Sequence, residues 1–148
     1  MFSPEELITD LHQFAYGETL PLEIVEFGYM DFDTPSMEQG IWAFRGLKQD
    51  FDSGPRFWIA TLRAQGWEDR ETCFIPYAES GLCRLIGAFS FRQLVAEYSG
   101  SLRNPLPPFV GASATFIDAQ LMYDDWNDVA ALAETEDSFV AFYWSTTT

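Results

Sequence analysis

Arg56-Phe57-Trp58-Ile59-Ala60-Thr61-Leu62-Arg63-Ala64 is the stretch on which the reading of this chain turns. It carries aromatic and β-branched residues and alternates polar with apolar at its end, which marks a strand. Asp50-Phe51-Asp52-Ser53-Gly54-Pro55, just before it, has the chemistry of a turn. Two more strand-like runs precede that turn, Leu22–Phe32 and Ile41–Lys48, separated by the turn Asp33-Thr34-Pro35-Ser36. Thr72–Tyr77 follows as a fourth. The links are too short for crossover helices, so the four runs read as an antiparallel meander. In a regular strand Arg56 and Arg63, seven apart, face opposite sides of the sheet.

Toward the N-terminus, Ser3-Pro4-Glu5-Glu6 is a capping box with proline at the first helical position. Leu7, Ile8, Leu11, Phe14 and Ala15 recur at helical spacing, which predicts a helix over Pro4–Tyr16 closed by Gly17. Toward the C-terminus, Leu82–Phe89 fits strand or helix equally. Ser90-Phe91-Arg92-Gln93 is a second capping box, with Phe91, Leu94, Val95 and Tyr98 on one helical face before Gly100. Ser101–Pro108 holds three of the eight prolines and reads as a loop. Ala114–Tyr123 is a strand. Asp125-Trp126-Asn127-Asp128 opens a short acidic helix to Glu134, with Val129, Leu132 and Ala133 inward. Ser138–Ser145 is the last strand. The expected fold class is α+β: a single domain over residues 1–148, with a mainly antiparallel or mixed sheet. The N-terminal helix and two further short helices pack on one face of it.

A chain of 148 residues suits one domain, and it buries enough surface to fold without disulfide or metal. Five Trp, six Tyr and fourteen Phe are more large rings than one small core absorbs, so a few should be exposed. The net charge of −15 is unevenly spread. Residues 1–44 hold nine carboxylates and residues 104–148 hold seven, and neither segment has a Lys or Arg. All eight basic residues lie between Arg45 and Arg103. If the two chain ends lie close together, one side of the molecule is strongly negative. Such a surface repels nucleic acid and anionic membranes and attracts basic proteins.

Cys73 and Cys83 lack zinc-ligand spacing and are too few for a disulfide scaffold. The N-terminus has no signal-peptide pattern, and the apolar run Phe139–Trp144 is too short to span a bilayer. The expected location is the cytoplasm.

His12 is the only histidine and Lys48 the only lysine. His12 sits on a helix flank, with neither cysteine near it in sequence, so nothing points to acyl transfer. Neither GxxxxGK[ST] nor GxGxxG occurs. Asp50–Gly54 and Asp124–Asp128 cluster carboxylates without the calcium-loop register, and turn and cap chemistry accounts for both. Trp42, Trp58, Trp67, Trp126 and Trp144 could stack on sugars beside a carboxylate pair, but no pair stands out. No catalytic, cofactor-binding or metal-binding residue is assigned, and no cofactor is expected.

The expected function is that of a non-enzymatic acidic binding or inhibitor protein that docks a basic partner. An immunity protein that neutralises a basic toxin meets that description, and so does a decoy that mimics nucleic acid. The expected contact residues are Asp124, Asp125, Trp126, Asp128, Glu134, Glu136 and Asp137. The alternatives are a small-molecule-binding domain with an aromatic-lined pocket and a carboxylate-dependent hydrolase.

Overall fold

The N-cap expected at Ser3 forms, with Glu6 bonded to the Ser3 hydroxyl rather than to its backbone N–H. Ser3 Oγ accepts from the Glu6 N–H at 3.2 Å and lies 3.3 Å from Glu6 Oε1. It starts helix α1, Pro4–Phe14, in the computed structural model, which describes residues 1–14, 21–33, 38–66 and 73–147. The expected end of this helix at Tyr16 and Gly17, most of the turn at Asp33–Ser36, and Trp67 and Thr72 lie outside the described residues.

Strand β1, Glu23–Phe27, is followed by a 3₁₀ turn at Tyr29–Asp31 and by β2, Gln39–Leu47. A short helix α2, Lys48–Phe51, leads into α3, Gly54–Ala64. The stretch RFWIATLRA is therefore helical, not a strand. Its turn-like prelude is a helix start: Ser53 Oγ accepts from the Arg56 N–H at 3.2 Å, and Pro55 sits in the first turn. Those caps, and the burial of Phe57, Trp58, Ile59, Thr61 and Leu62 together, outweigh the strand propensity of the aromatic and β-branched side chains. On a helix Arg56 and Arg63 share a side instead of facing apart. The run expected as a fourth strand also contains a helix, α4 at Ile75–Glu79. Leu82–Phe89 resolves into both of its possibilities, β3 at Arg84–Leu85 and the start of α5, Gly87–Ser99. Helix α5 thus begins three residues before its expected cap. Gly87 makes that junction possible at φ +79°, a conformation open to glycine.

The last three strands are β4, Asp118–Asp125, β5, Asp128–Glu134, and β6, Ser138–Thr146. The expected acidic helix after Asp125 is strand β5. Val129, Leu132 and Ala133 do fall at helical spacing, but the whole run Val129–Ala133 is buried. A strand covered on both faces loses its alternation and reads as a continuous apolar run.

All six strands pair antiparallel in the order β1-β2-β6-β5-β4-β3. The fold is α+β. Its helices cover both faces of the sheet, not one. On the first face α1, α3 and α4 bury Leu7, Leu11, Trp58, Leu62 and Phe74 against Met122, Tyr123, Ala141 and Tyr143. On the second, α5 and the segment after it bury Phe91, Val95, Val110 and Phe116 against Ile41, Ala131, Val140 and Phe142. The second layer arises because α5 leaves β3 at the sheet edge and crosses behind β4 and β5, where it makes its sheet contacts.

Residues 2 and 147 do not lie together. Phe2 packs near Phe139, at the start of β6, and Thr147 follows the far end of that strand. The two acidic segments therefore do not merge through adjacent termini.

Candidate functional site

Two residues, Trp126 and Asn127, join β4 to β5, and Asp125 and Asp128 face each other as the last cross-strand pair. Trp126 projects from this tip with 74% of its surface exposed, and Asp124 and Asp125 beside it are exposed as well. Asp128 is half-buried. Tyr77 of α4 donates its hydroxyl to Asp128 Oδ2 at 2.5 Å, and Tyr123 donates to the Tyr77 carbonyl at 2.7 Å. The rings of Tyr77 and Tyr123 stack at 4.3 Å. Burial raises the Asp128 carboxyl above its ordinary range, the Tyr77 hydroxyl works against that, and the Asp125 charge adds to it. Burial and the Asp128 hydrogen bond hold Tyr77 in its neutral form.

Behind the tip, on the α5 face, Tyr98 packs on Trp144 at 4.7 Å. Its hydroxyl is raised by burial, then by the negative charges of Glu97 and Asp124. Carboxylate charges thus act on a tyrosine on each face of the sheet, Asp128 on Tyr77 and Glu97 with Asp124 on Tyr98. Among the described residues, none of the ion pairs includes Asp124, Asp125 or Asp128.

The seven residues expected to form one contact face fall into two groups. Asp124, Asp125, Trp126 and Asp128 share the hairpin tip. Glu134, Glu136 and Asp137 lie at the opposite end of β5, about 20 Å away at strand rise. Glu134 is paired there with Lys48 at 2.9 Å. Asp137 accepts from Ser138 Oγ at 2.9 Å and Thr135 Oγ1 at 3.2 Å, which lowers its carboxyl, Ser138 contributing most. Arg45, paired with Glu23, and Arg56, paired with Asp52, lie toward that same end. Arg45, Lys48 and Arg56 are thus ion-paired toward one end of the strands, while Asp124, Asp125 and Asp128 at the other enter none of the ion pairs among the described residues.

The remaining candidates are accounted for locally. His12 is exposed, 3.6 Å from Glu79. Asp52 holds Arg56, and Ser53 caps α3, so the Asp50–Gly54 cluster is structural. No group of three or more metal-ligating side chains occurs among the described residues. Both cysteines are free thiols, and Cys83, pushed up to about 11 chiefly by burial, is not a thiolate at neutral pH. No helix among the described residues is long and apolar enough to cross a membrane.

Sequence reasoning missed Tyr77 and its hold on Asp128. The two residues are 51 apart in the chain, and Tyr77 lies in a run read as a strand. Comparison with known protein families, characterised proteins and solved structures finds no match for this chain.

Proposed function

We propose that this protein works by binding a basic protein partner through the hairpin end of its sheet. One observation carries the reading: Trp126 stands exposed at the tip between Asp124 and Asp125, while Arg45, Lys48 and Arg56 are held in ion pairs toward the opposite end. A projecting aromatic ring is an anchor for a concave surface, and unpaired carboxylates around it steer a cationic partner and favour its side chains over the ring. An inhibitor of a basic toxin and a decoy for a nucleic-acid-binding protein are the two roles this surface fits.

The test is capture of basic proteins on immobilised wild type and on two variants, Asp124→Lys/Asp125→Lys and Trp126→Ala. A basic protein that binds wild type, elutes as salt rises and is lost from both variants supports the reading. Equal capture by wild type and variants overturns it.

A cleft of about 340 Å³ favours small-ligand binding as a second reading. Phe2, Phe139, Lys48 and Glu134 line it beside the start of α3, and Lys48 Nζ lies 5.7 Å from the centre of the Phe139 ring. A rise in melting temperature with a small-molecule panel, abolished by Lys48→Met, would support this reading.

A further inference from the structure

Three tyrosines and a tryptophan form a continuous row on the first face of the sheet. Tyr143 stacks on Trp58 at 4.9 Å, Trp58 meets Tyr123 at 6.2 Å, and Tyr123 stacks on Tyr77 at 4.3 Å. Trp58 is fully buried and Tyr123 and Tyr143 nearly so, while Tyr77, at the end of the row, is half-buried. Tyrosine and tryptophan are among the side chains that give up an electron most readily. Rings in contact pass an oxidising equivalent from one to the next.

What distinguishes the four is where each proton can go. A phenol that loses an electron becomes strongly acidic, so it settles as a neutral radical only where a base takes its proton. Tyr123 donates to the Tyr77 carbonyl at 2.7 Å, and Tyr143 lies 2.9 Å from the Thr61 hydroxyl. Neither a carbonyl nor an alcohol holds a proton at neutral pH. Trp58 Nε1 is buried with no carboxylate at hydrogen-bond distance among the described residues. Of the four, only Tyr77 donates to a base. Asp128 Oδ2 accepts its hydroxyl at 2.5 Å, the short length of a bond to an ionised acceptor. Burial makes this carboxylate a stronger base than an exposed one.

We propose that Tyr77 and Asp128 form a redox site, the resting place of an oxidising equivalent that a one-electron oxidant, such as a peroxyl radical, leaves in the aromatic core. The oxidant takes one electron from the row and is reduced, leaving the Trp58 radical cation. Tyr77 refills Trp58 through Tyr123. Its phenolic O–H bond breaks, and the proton forms the O–H bond of the Asp128 acid. Tyr77 is left as a neutral radical with the proton still beside it. Being half-buried and not enclosed, Tyr77 is within reach of a small reductant such as ascorbate. That reductant returns the electron, and the proton goes back from Asp128 to the phenol oxygen. This chemistry uses neither Trp126 nor the exposed carboxylates of the hairpin tip, so it stands apart from the docking of a basic partner.

Flash-photogenerated tris(bipyridine)ruthenium(III), an outer-sphere one-electron oxidant, provides the test, read by electron paramagnetic resonance of the frozen protein. Wild type should give a tyrosyl signal coupled to an exchangeable proton, the one held on Asp128, and the coupling should vanish in deuterated water. Tyr77→Phe should lose that signal, whereas Tyr29→Phe, at an exposed site, should keep it. Asp128→Asn keeps a hydrogen-bond acceptor for Tyr77 but cannot take its proton. The yield of the signal should therefore fall several-fold in that variant, with circular dichroism unchanged. No tyrosyl signal in wild type, a signal without the exchangeable coupling, one that survives Tyr77→Phe, or an equal yield in Asp128→Asn would overturn the proposal. The wild-type and Asp128→Asn readings decide the matter even if Tyr77→Phe fails to fold.

Discussion

Gln120 holds Phe2 by both of its backbone groups: Oε1 accepts from the Phe2 N–H at 3.2 Å, and Nε2 donates to the Phe2 carbonyl at 2.6 Å. The same Nε2 reaches the Cys83 carbonyl at 3.2 Å. One buried amide in the middle of β4 thus ties down the chain ahead of α1 and the approach to β3. Gln120→Leu keeps the volume and strips a partner from all three backbone groups. It should cost about 2–4 kcal/mol, read as a lower urea midpoint at unchanged slope.

The bond between Tyr143 and Thr61 has a direction. Thr61 Oγ1 lies 2.7 Å from the Trp58 carbonyl and spends its one proton there, so across the 2.9 Å contact Tyr143 is the donor. Thr61→Val then takes from the buried Tyr143 hydroxyl the acceptor it donates to, whereas Tyr143→Phe removes the hydroxyl altogether. Thr61→Val should cost about 1–3 kcal/mol and Tyr143→Phe less, an ordering that thermal denaturation of the two variants would check.

Gly46 and Gly40 sit on the same strand with opposite tolerances. A Cβ on Gly46 would stand 2.5 Å from Phe51 Cε2 and 2.9 Å from Phe57 Cδ1; one on Gly40 would have nothing nearer than 3.7 Å. The Phe51 and Phe57 rings meet edge to face at 5.4 Å and are both fully buried. Gly46→Ala should therefore cost about 1–3 kcal/mol by overpacking, and Gly40→Ala should be neutral or slightly stabilising. Equal melting temperatures for the two variants would show that the ring pair can shift.

Asp128 gives the pH dependence a definite sign. Its folded carboxyl is raised, so the folded state binds a proton more readily than the unfolded chain. This group's contribution to stability is thus fully present below its unfolded pKa. It is lost as pH rises through the folded value. Asp128→Asn keeps an acceptor for Tyr77 and removes the charge. It should raise stability at pH 7, with a smaller gain at pH 4, as urea melts at the two pH values would show.

What the sequence displayed was the part governed by local rules. The Ser3 capping box gave α1, and the runs around Ile41–Leu47 and Ser138–Ser145 are strands β2 and β6. The tip residues Asp124, Asp125 and Trp126 were visible because charge and aromatic rings are visible in a sequence. Residues whose state is decided by what covers them were hidden. The run Val129–Ala133 imitates a helix because α3 and α5 cover both faces of the sheet around it. RFWIATLRA mixes strand-favouring Phe57, Trp58, Ile59 and Thr61 with helix-favouring Ala, Leu and Arg, and Ser53, Pro55 and the packing of Trp58 on Tyr143 at 4.9 Å settle it as a helix. The division of the acidic residues between two ends of β5 depends on strand direction, which composition does not carry.

Strand order has a temporal side. In the sheet β6 lies between β2 and β5, yet it is made after every other strand. While the ribosome is still upstream of Ser138, β1 and β2 can close as one hairpin and β3, β4 and β5 as another, but the two halves have no seam. Phe44 and Ala141, almost a hundred residues apart, become neighbours only when β6 slots between β2 and β5. The β2 edge therefore stays without its inner neighbour from Leu47 until β6 is made. Joining the two halves requires β6 to enter between β2 and β5, the long-range kind of pairing that is slow and leaves a chain open to aggregation.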